Sequence, residues 1–352
     1  MTDASKEVGR DATAPMPAVT ARRNPLTLIV RFQSVIGLIL VLIGGVVFSP
    51  VRHGQLLFLA PDNIANIIRA ISETGIIALG MTFVIITAGI DLSVGAMLGL
   101  NSVLTAMLMT TANLGLVPTL LLVLAAGTAF GTLQGLISTR FRLEPFIVTL
   151  AGLQVARGLA LVLSGNVYIN ISYGEGPGLA PPVFALLGER LFHNVVPVAT
   201  LVFLALAVAA TIVLNTSRFG RYVYAVGGNE RAARLSGIPV TQVKVAVYAI
   251  TGFAAASAGF VHAGQFSFGS ANDGAGYELT AIAAVVIGGT SLFGGAGSMI
   301  GTIAGSIMLG ALANILQLNN VNASLQLLAT GAIIVLAAAL QTMVGRREGS
   351  MR

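Results

Sequence analysis

Long apolar runs, broken by short polar or glycine-rich stretches, recur along most of the 352-residue chain. A helix needs about 20 mostly apolar residues to cross ~30 Å of hydrocarbon. The runs near 33–51, 73–89, 92–111, 116–139, 145–163, 195–214, 243–263, 298–316 and 323–343 meet that need or approach it. The run 279–287 is too short to cross alone and is followed by GGTSLFGGAG, which predicts a broken or re-entrant helix. The pattern thus predicts an all-α polytopic membrane protein of about ten crossings or near-crossings, with both termini on one side. Pro145 is suited to the first turn of its helix, and Glu144 to the positive end. Residues 52–72 are wetter, and the DNIANIIRAIS pattern behind Asp62 predicts a separate interfacial or re-entrant helix. Residues 164–194, with GEGPG and paired prolines, form the longest loop.

One stretch, 218–239, is polar where its surroundings are apolar. It predicts a short helix outside the membrane. Asn229 is the N-cap, Glu230 suits the first turn, Arg234 the negative end, and Gly237 with Pro239 is a stop signal. Helical spacing gives Ala232, Ala233 and Ser236 one small-residue face, beside a basic stripe of Arg231 and Arg234, and such a face suggests docking.

Composition narrows the class. Hydrophobic residues make up 55% of the chain and charged ones 9%, and the mean hydropathy of +0.90 leaves too little polar surface for a water-facing protein. The absence of cysteine removes disulfides and thiolate chemistry. A net charge of +6 invites a nucleic-acid reading, but the basic residues sit beside apolar spans, where positive-inside topology accounts for them. Arg22, Arg23, Arg31, Arg140, Arg142, Arg218, Arg221, Arg231, Arg234, Lys244, Arg346 and Arg347 fall on one side, against Arg52, Arg69 and Arg190 on the other. The 218–239 stretch and both termini are therefore expected in the cytoplasm. Residues 1–31 read as a disordered cytoplasmic tail, 32–344 as the membrane domain, and 345–352 as a second cytoplasmic tail.

No enzyme constellation emerges. His53, His193 and His262 lack metal-ligand spacing, no P-loop motif is present, and neither a cofactor nor a metal is expected. Asp91 lies between two apolar runs, and two readings are open: a cap on the helix that follows, or a group facing a wet path. Arg157 lies past the middle of its run and belongs either to a permeation route or to an internal ion pair. Asn66, Gln154, Asn314 and Gln317 suit interhelical hydrogen bonding. AGIDLSVG at 88–95 echoes GGTSLFGG at 288–295, as either an internal repeat or a chance match in a glycine- and leucine-rich chain.

Four segments carry a resemblance: GMTFVIITAGIDLSVGAMLGL at 80–100, EPFIVTLAGLQVARGLAL at 144–161, FGRYVYAVGGNERAARLSGIPV at 219–240, and YELTAIAAVVIGGTSLFGGAGSMIGTIAGS at 277–306. In these the chain resembles the permease subunit of bacterial monosaccharide ABC importers, of the ribose, xylose and arabinose type. The resemblance implies a fold similar to the vitamin B12-type importer permease, in the cytoplasmic (inner) membrane. It also implies a second permease subunit, identical or closely related, two ATP-binding cassette subunits, and a periplasmic or lipoprotein sugar-binding protein. ATP hydrolysis on the partner would drive alternating access, so the chain itself would be no enzyme. The segment 227–237 corresponds to the family's ATPase-coupling loop, with Gly227, Gly228, Asn229, Glu230, Arg231, Ala232, Ala233, Arg234, Ser236 and Gly237 as the coupling residues. Asp91, Arg157, Gly288 and Gly289 are the substrate-path candidates. Thr280 departs from the family, which often has Asp there. A gradient-driven secondary transporter, with Asp91 and Arg157 as coupling groups, is the alternative, and a non-transporting membrane scaffold a third reading.

Overall fold

The computed structural model describes residues 33–192, 194–333, 335 and 339. The predicted tails 1–31 and 345–352, the C-terminal half of the last predicted span, and His193 lie outside the described residues. The chain is mostly helical, in this order: α1 (Gln33–Val47), α2 (Pro61–Ile86), α3 (Val94–Thr110), α4 (Leu116–Phe141), α5 (Pro145–Ser164), α6 (Val198–Thr216), α7 (Arg218–Gly228), α8 (Glu230–Leu235), α9 (Val240–Phe266), α10 (Tyr277–Ile287), α11 (Met299–Leu318) and α12 (Ala323–Ile333). Among the described residues six helices, α2, α4, α5, α6, α9 and α11, are long and apolar enough to cross a membrane, by length and composition; α1, α3, α10 and α12 are apolar but shorter.

The largest departure from the sequence reading is α2. The separate interfacial helix behind Asp62 and the span beginning at residue 73 are one continuous helix from Pro61 to Ile86. The reason is that its polar residues find partners inside the protein. Asn63 exchanges hydrogen bonds with Asn314, Arg69 donates to Gln265, and Glu73 bonds His262. With those groups satisfied, nothing interrupts the helix between the proline in its first turn and Thr87.

Helices α2 and α9 form the buried centre, whereas α4, α5 and α6 carry exposed apolar side chains such as Leu121, Val155 and Leu204 on the periphery. Small residues allow the close packing. Gly127, Gly131 and Gly135 repeat at four-residue spacing on α4 and lie against Gly252, Tyr248 and Val245 of α9, where side chains would meet backbone.

The long loop between α5 and α6 is docked, not free. A 3₁₀ segment, Pro182–Gly188, buries Phe184 against Phe260, and Ile169–Asn170 pairs antiparallel with Phe268–Gly269 beyond α9. This end of the bundle is called the loop end. The opposite end carries α7 and α8, which together form an arm.

Candidate functional site

The arm is two helices where the sequence reading expected one. Ser217 caps α7, its Oγ accepting from the Gly220 amide at 3.0 Å, and Asn229 caps α8, its Oδ1 accepting from the Ala232 amide at 3.0 Å. Gly237 has φ +80°, a left-handed conformation that glycine adopts at little cost, just past the end of α8. Glu230 is clamped from both sides, by Lys244 of α9 at 2.6 Å and Arg234 at 3.0 Å. The Lys244 hydrogen bond, with Arg234 adding to it, holds the Glu230 carboxyl below the ordinary carboxylate range.

The face of Ala232, Ala233 and Ser236 is not uniformly outward. Ala232 and Ser236 are exposed together with Arg231 and Arg234, but Ala233 packs into the chain's own main core at 4% exposure. The reason is that α8 lies against the start of α9, and the inward position takes the smallest side chain. Leu235, which the sequence reading did not single out, is 90% exposed at the end of α8. Its signal was present in the sequence as an apolar residue in an otherwise polar stretch.

The foot of the arm touches two helix breaks. The Gly227 position is so close to the Ile86 carbonyl and the Gly295 amide nitrogen that a Cβ there would collide with both. Gly295 N–H donates to the Ile86 carbonyl at 2.9 Å, and Tyr224 Oη donates to the Gly297 carbonyl at 2.8 Å. Thus the two segments that echo each other in sequence, after α2 and after α10, meet beneath the arm. Within the second, Gly289 has φ +91°, and Gly288 packs on the Gly301 backbone of α11.

Asp91 is buried just beyond the first break. Its Oδ1 accepts from the Ser93 amide at 2.9 Å and from Ser93 Oγ at 2.6 Å, and Gln134 Nε2 donates to Ser93 Oγ at 2.9 Å. This is a local turn just ahead of α3, whose N-cap position is Ser93 and carries no side-chain cap hydrogen bond, so Asp91 itself does not cap the helix.

Arg157 does not stand alone. It is half-buried, and its Nη1 donates to the carbonyl oxygens of Ala271 and Asp273, in the irregular segment between α9 and α10 that descends alongside α3. Next to it is a cluster that the sequence reading missed. His262 Nδ1 lies 2.8 Å from Glu73 Oε2, and its Nε2 lies 3.4 Å from Asp273 Oδ2. Asp273 Oδ2 also accepts from Ser102 Oγ at 2.7 Å and from the Ser270 amide at 2.8 Å. In the sequence His262 is one of three histidines without metal-ligand spacing, and Glu73 is only the first residue of the apolar run 73–89. Among the described residues no group of acidic and histidine side chains has the geometry to hold a metal.

A cavity of about 650 Å³ lies between α2, α10, α11 and α12. Asn63, Asn66, Thr74, Thr280, Ser306 and Asn314 supply polar groups to its wall. Asn66, Asn314 and Gln317, read earlier as interhelical hydrogen-bonding residues, all face it. None of Asp91, Arg157, Gly288 and Gly289 does. Those four are not gathered at one place: Asp91 and the glycines belong to the arm end, whereas Arg157 lies beside Gly99, about two turns along α3 from Asp91.

Comparison with known proteins agrees with this architecture. Residues 63–338 match the family described as branched-chain amino acid transport system / permease component. The chain is 38% identical to the ribose import permease protein RbsC of Haemophilus influenzae over 83% of its own length and 88% of that protein. It is 41% identical to the RbsC protein of Bacillus subtilis, over 80% of this chain and 85% of that one. With the xylose transport system permease protein XylH of Escherichia coli K12 it shares 32% identity, over 83% of this chain and 87% of that one. No solved structure matches. The resemblance read from the sequence is borne out: the chain belongs to the branched-chain amino acid transport system / permease component family, as a membrane transport subunit and not an enzyme.

Proposed function

We propose that the chain is the membrane permease of an ABC importer that moves a monosaccharide or similar polyol inward, by alternating access driven by ATP hydrolysis on a partner. In this reading α1 to α6 and α9 to α12 make about ten crossings or near-crossings, in a fold of the vitamin B12-importer kind. The membrane domain is 32–344, flanked by cytoplasmic tails. The arm end faces the cytoplasm and the loop end faces outward. The sugar class comes from relatives whose names specify ribose and xylose.

The observation that carries the coupling is the contact of Gly227 with Ile86 and Gly295. An ATPase moving residues 227–237 would displace the foot of the arm, and with it the junction of both helix breaks. Two cassette subunits, a second permease chain and an external sugar-binding protein complete the assembly. Arg231, Arg234 and Leu235 are the outward groups of α8 that an ATPase groove can take. Purification of the full chain from its native membrane tests this: an ATP-hydrolysing complex containing a cassette subunit is expected, and a chain recovered without one contradicts it.

One observation favours the gradient-driven alternative. Glu73, His262 and Asp273 form a titratable cluster within the apolar bundle, and such groups line proton paths in some transporters. Uptake that follows a pH gradient in the absence of ATP would support that reading.

A further inference from the structure

Helices α6 and α9 both pack on α2 and leave between them a cleft of about 170 Å³ on the outer face of the bundle. Its floor is Ile76, Leu79 and Phe83 of α2, each at most 3% exposed, and its rims are Val213 of α6 and Phe253 of α9, at 37% and 36%. No residue lining it has a polar side chain. An empty cleft forfeits dispersion contacts along every wall, and in a bilayer an acyl chain is the group at hand to restore them.

Phe253 also belongs to a second, more open groove, which follows α4 from Leu121 to Leu136, about 22 Å. The two hydroxyls in that groove, Thr128 and Thr132, donate within α4 to the carbonyls of Leu124 and Thr128, at 2.7 Å each. This groove too therefore presents hydrocarbon. Two apolar channels that meet at one ring match the two chains of a single phospholipid.

Toward the arm, the cleft ends at the first turn of α7. The Phe219 ring of that turn lies 6.1 Å, centroid to centroid, from Phe83 on the cleft floor, and a Cβ at Gly220 would collide with the carbonyls of Val213 and Leu214. Arg218 and Arg221 flank these two residues and are exposed. Arg221 Nη1 donates to the Thr216 carbonyl at 3.3 Å, which sets its guanidinium over the end of α6 and leaves most of its N–H groups free. Among the described residues neither arginine has a carboxylate partner. Helix stability does not explain them either. They occupy the positive end of α7, where a cation is unfavourable and where no acidic residue stands. An anion beside them removes that repulsion.

We propose that the cleft binds an anionic phospholipid of the arm-side leaflet, with an acyl chain against Phe83 and Phe253 and the headgroup phosphate on Arg218 and Arg221. The apolar walls accept any acyl chain, whereas the two guanidinium groups select a net negative headgroup. The bound lipid holds the start of α7, at the opposite end of that helix from the Gly227 foot. The site belongs to the membrane-facing surface, so it holds whichever solute the chain moves and whatever drives the movement.

The chain has no tryptophan, so Phe253→Trp and Val213→Trp each place a unique fluorophore on one rim of the cleft. The full chain is reconstituted in vesicles of brominated-chain phosphatidylcholine, which quenches a tryptophan that its chains touch, and unbrominated phosphatidylglycerol is added in steps. At each rim the fluorescence is expected to recover ahead of bulk dilution, giving a phosphatidylglycerol preference of at least about fivefold, or about 1 kcal/mol. Leu40→Trp, on the exposed face of α1, is expected to show a preference below about twofold. Arg218→Gln with Arg221→Gln, added to either rim variant, should lower the rim preference to the Leu40→Trp level. With two rims, a variant that folds poorly leaves the other to report. A rim that brominated lipid does not quench means that protein, such as a second copy of the chain, covers the cleft, and the proposal fails. It fails equally if neither rim prefers phosphatidylglycerol, if the preference survives both glutamines, or if Leu40→Trp matches it, which marks a general attraction to the basic side of the chain.

Discussion

Ala233 and Leu235, two residues apart on α8, face opposite environments: Ala233 is 4% exposed in the main core and Leu235 is 90% exposed at the surface. The small-residue face that suggests docking in the sequence is therefore partly an internal contact. The outward apolar group is the leucine.

Two substitutions separate these roles. Leu235→Asp is expected to leave the chain folded and inserted but to reduce ATPase association at least about tenfold, the order of loss when an apolar anchor is removed from an interface. Ala233→Trp is expected to overfill the chain's own core and lower its stability by about 1–3 kcal/mol. Thermal unfolding of the purified chain, together with copurification of the ATPase, measures both. A stable Ala233→Trp chain that alone loses the ATPase would return Ala233 to the docking face.

At the foot of the arm, neighbouring glycines should respond differently. A Cβ at Gly227 meets the Ile86 carbonyl and Gly295, whereas one at Gly228 meets open space. Gly227→Ala is expected to cost about 1–3 kcal/mol and to impair uptake, with Gly228→Ala close to neutral. Equal melting temperatures for the two variants would remove the tight junction.

Glu230 gives a pH signature. Lys244 and Arg234 hold its folded carboxyl below its ordinary value of 4.5, so below that pH the unfolded chain takes up the proton first. The contribution to stability is complete above the unfolded value and disappears as pH falls through the folded one. Because the side chain is 42% exposed, the effect is small, under about 1 kcal/mol. Hydrogen exchange of α8 amides between pH 5 and about 3 should show local loosening that is absent in Glu230→Gln. Identical profiles for the two chains would mean that the clamp contributes nothing.

The buried cluster should be costly to break. Glu73→Ala leaves His262 and Asp273 in the bundle without the carboxylate on Nδ1 and is expected to destabilise by about 3 kcal/mol or more. Arg190→Ala, which removes a partner from the 86%-exposed Asp62, should cost under about 1 kcal/mol. Chemical denaturation of the two variants in one detergent compares them directly.

The helices and their order were legible because most of the apolar runs are long, and because Pro145, Asn229 and Gly237 act locally. The continuity of α2 was not legible. Its polar residues look like an interruption until their partners are known, and those partners lie far away in sequence: Glu73 and His262 are 189 residues apart, and Asn63 and Asn314 are 251 apart. The same distance hid the titratable cluster and the cavity. Asp91 stood out as a charge between apolar runs and Arg157 as one within a run, yet neither lines the cavity; Ser93 engages the first, and the carbonyls of Ala271 and Asp273 the second. Thr280 drew attention as a departure from the family, and it lines the cavity wall.

The most direct measurement is sugar uptake by proteoliposomes holding the purified complete complex and an external binding protein, with ATP on the arm side or with an imposed pH gradient alone. The expected result is accumulation of D-ribose or D-xylose that requires ATP and is lost in Leu235→Asp. Uptake driven by the pH gradient without ATP, and unchanged in Leu235→Asp, would contradict it.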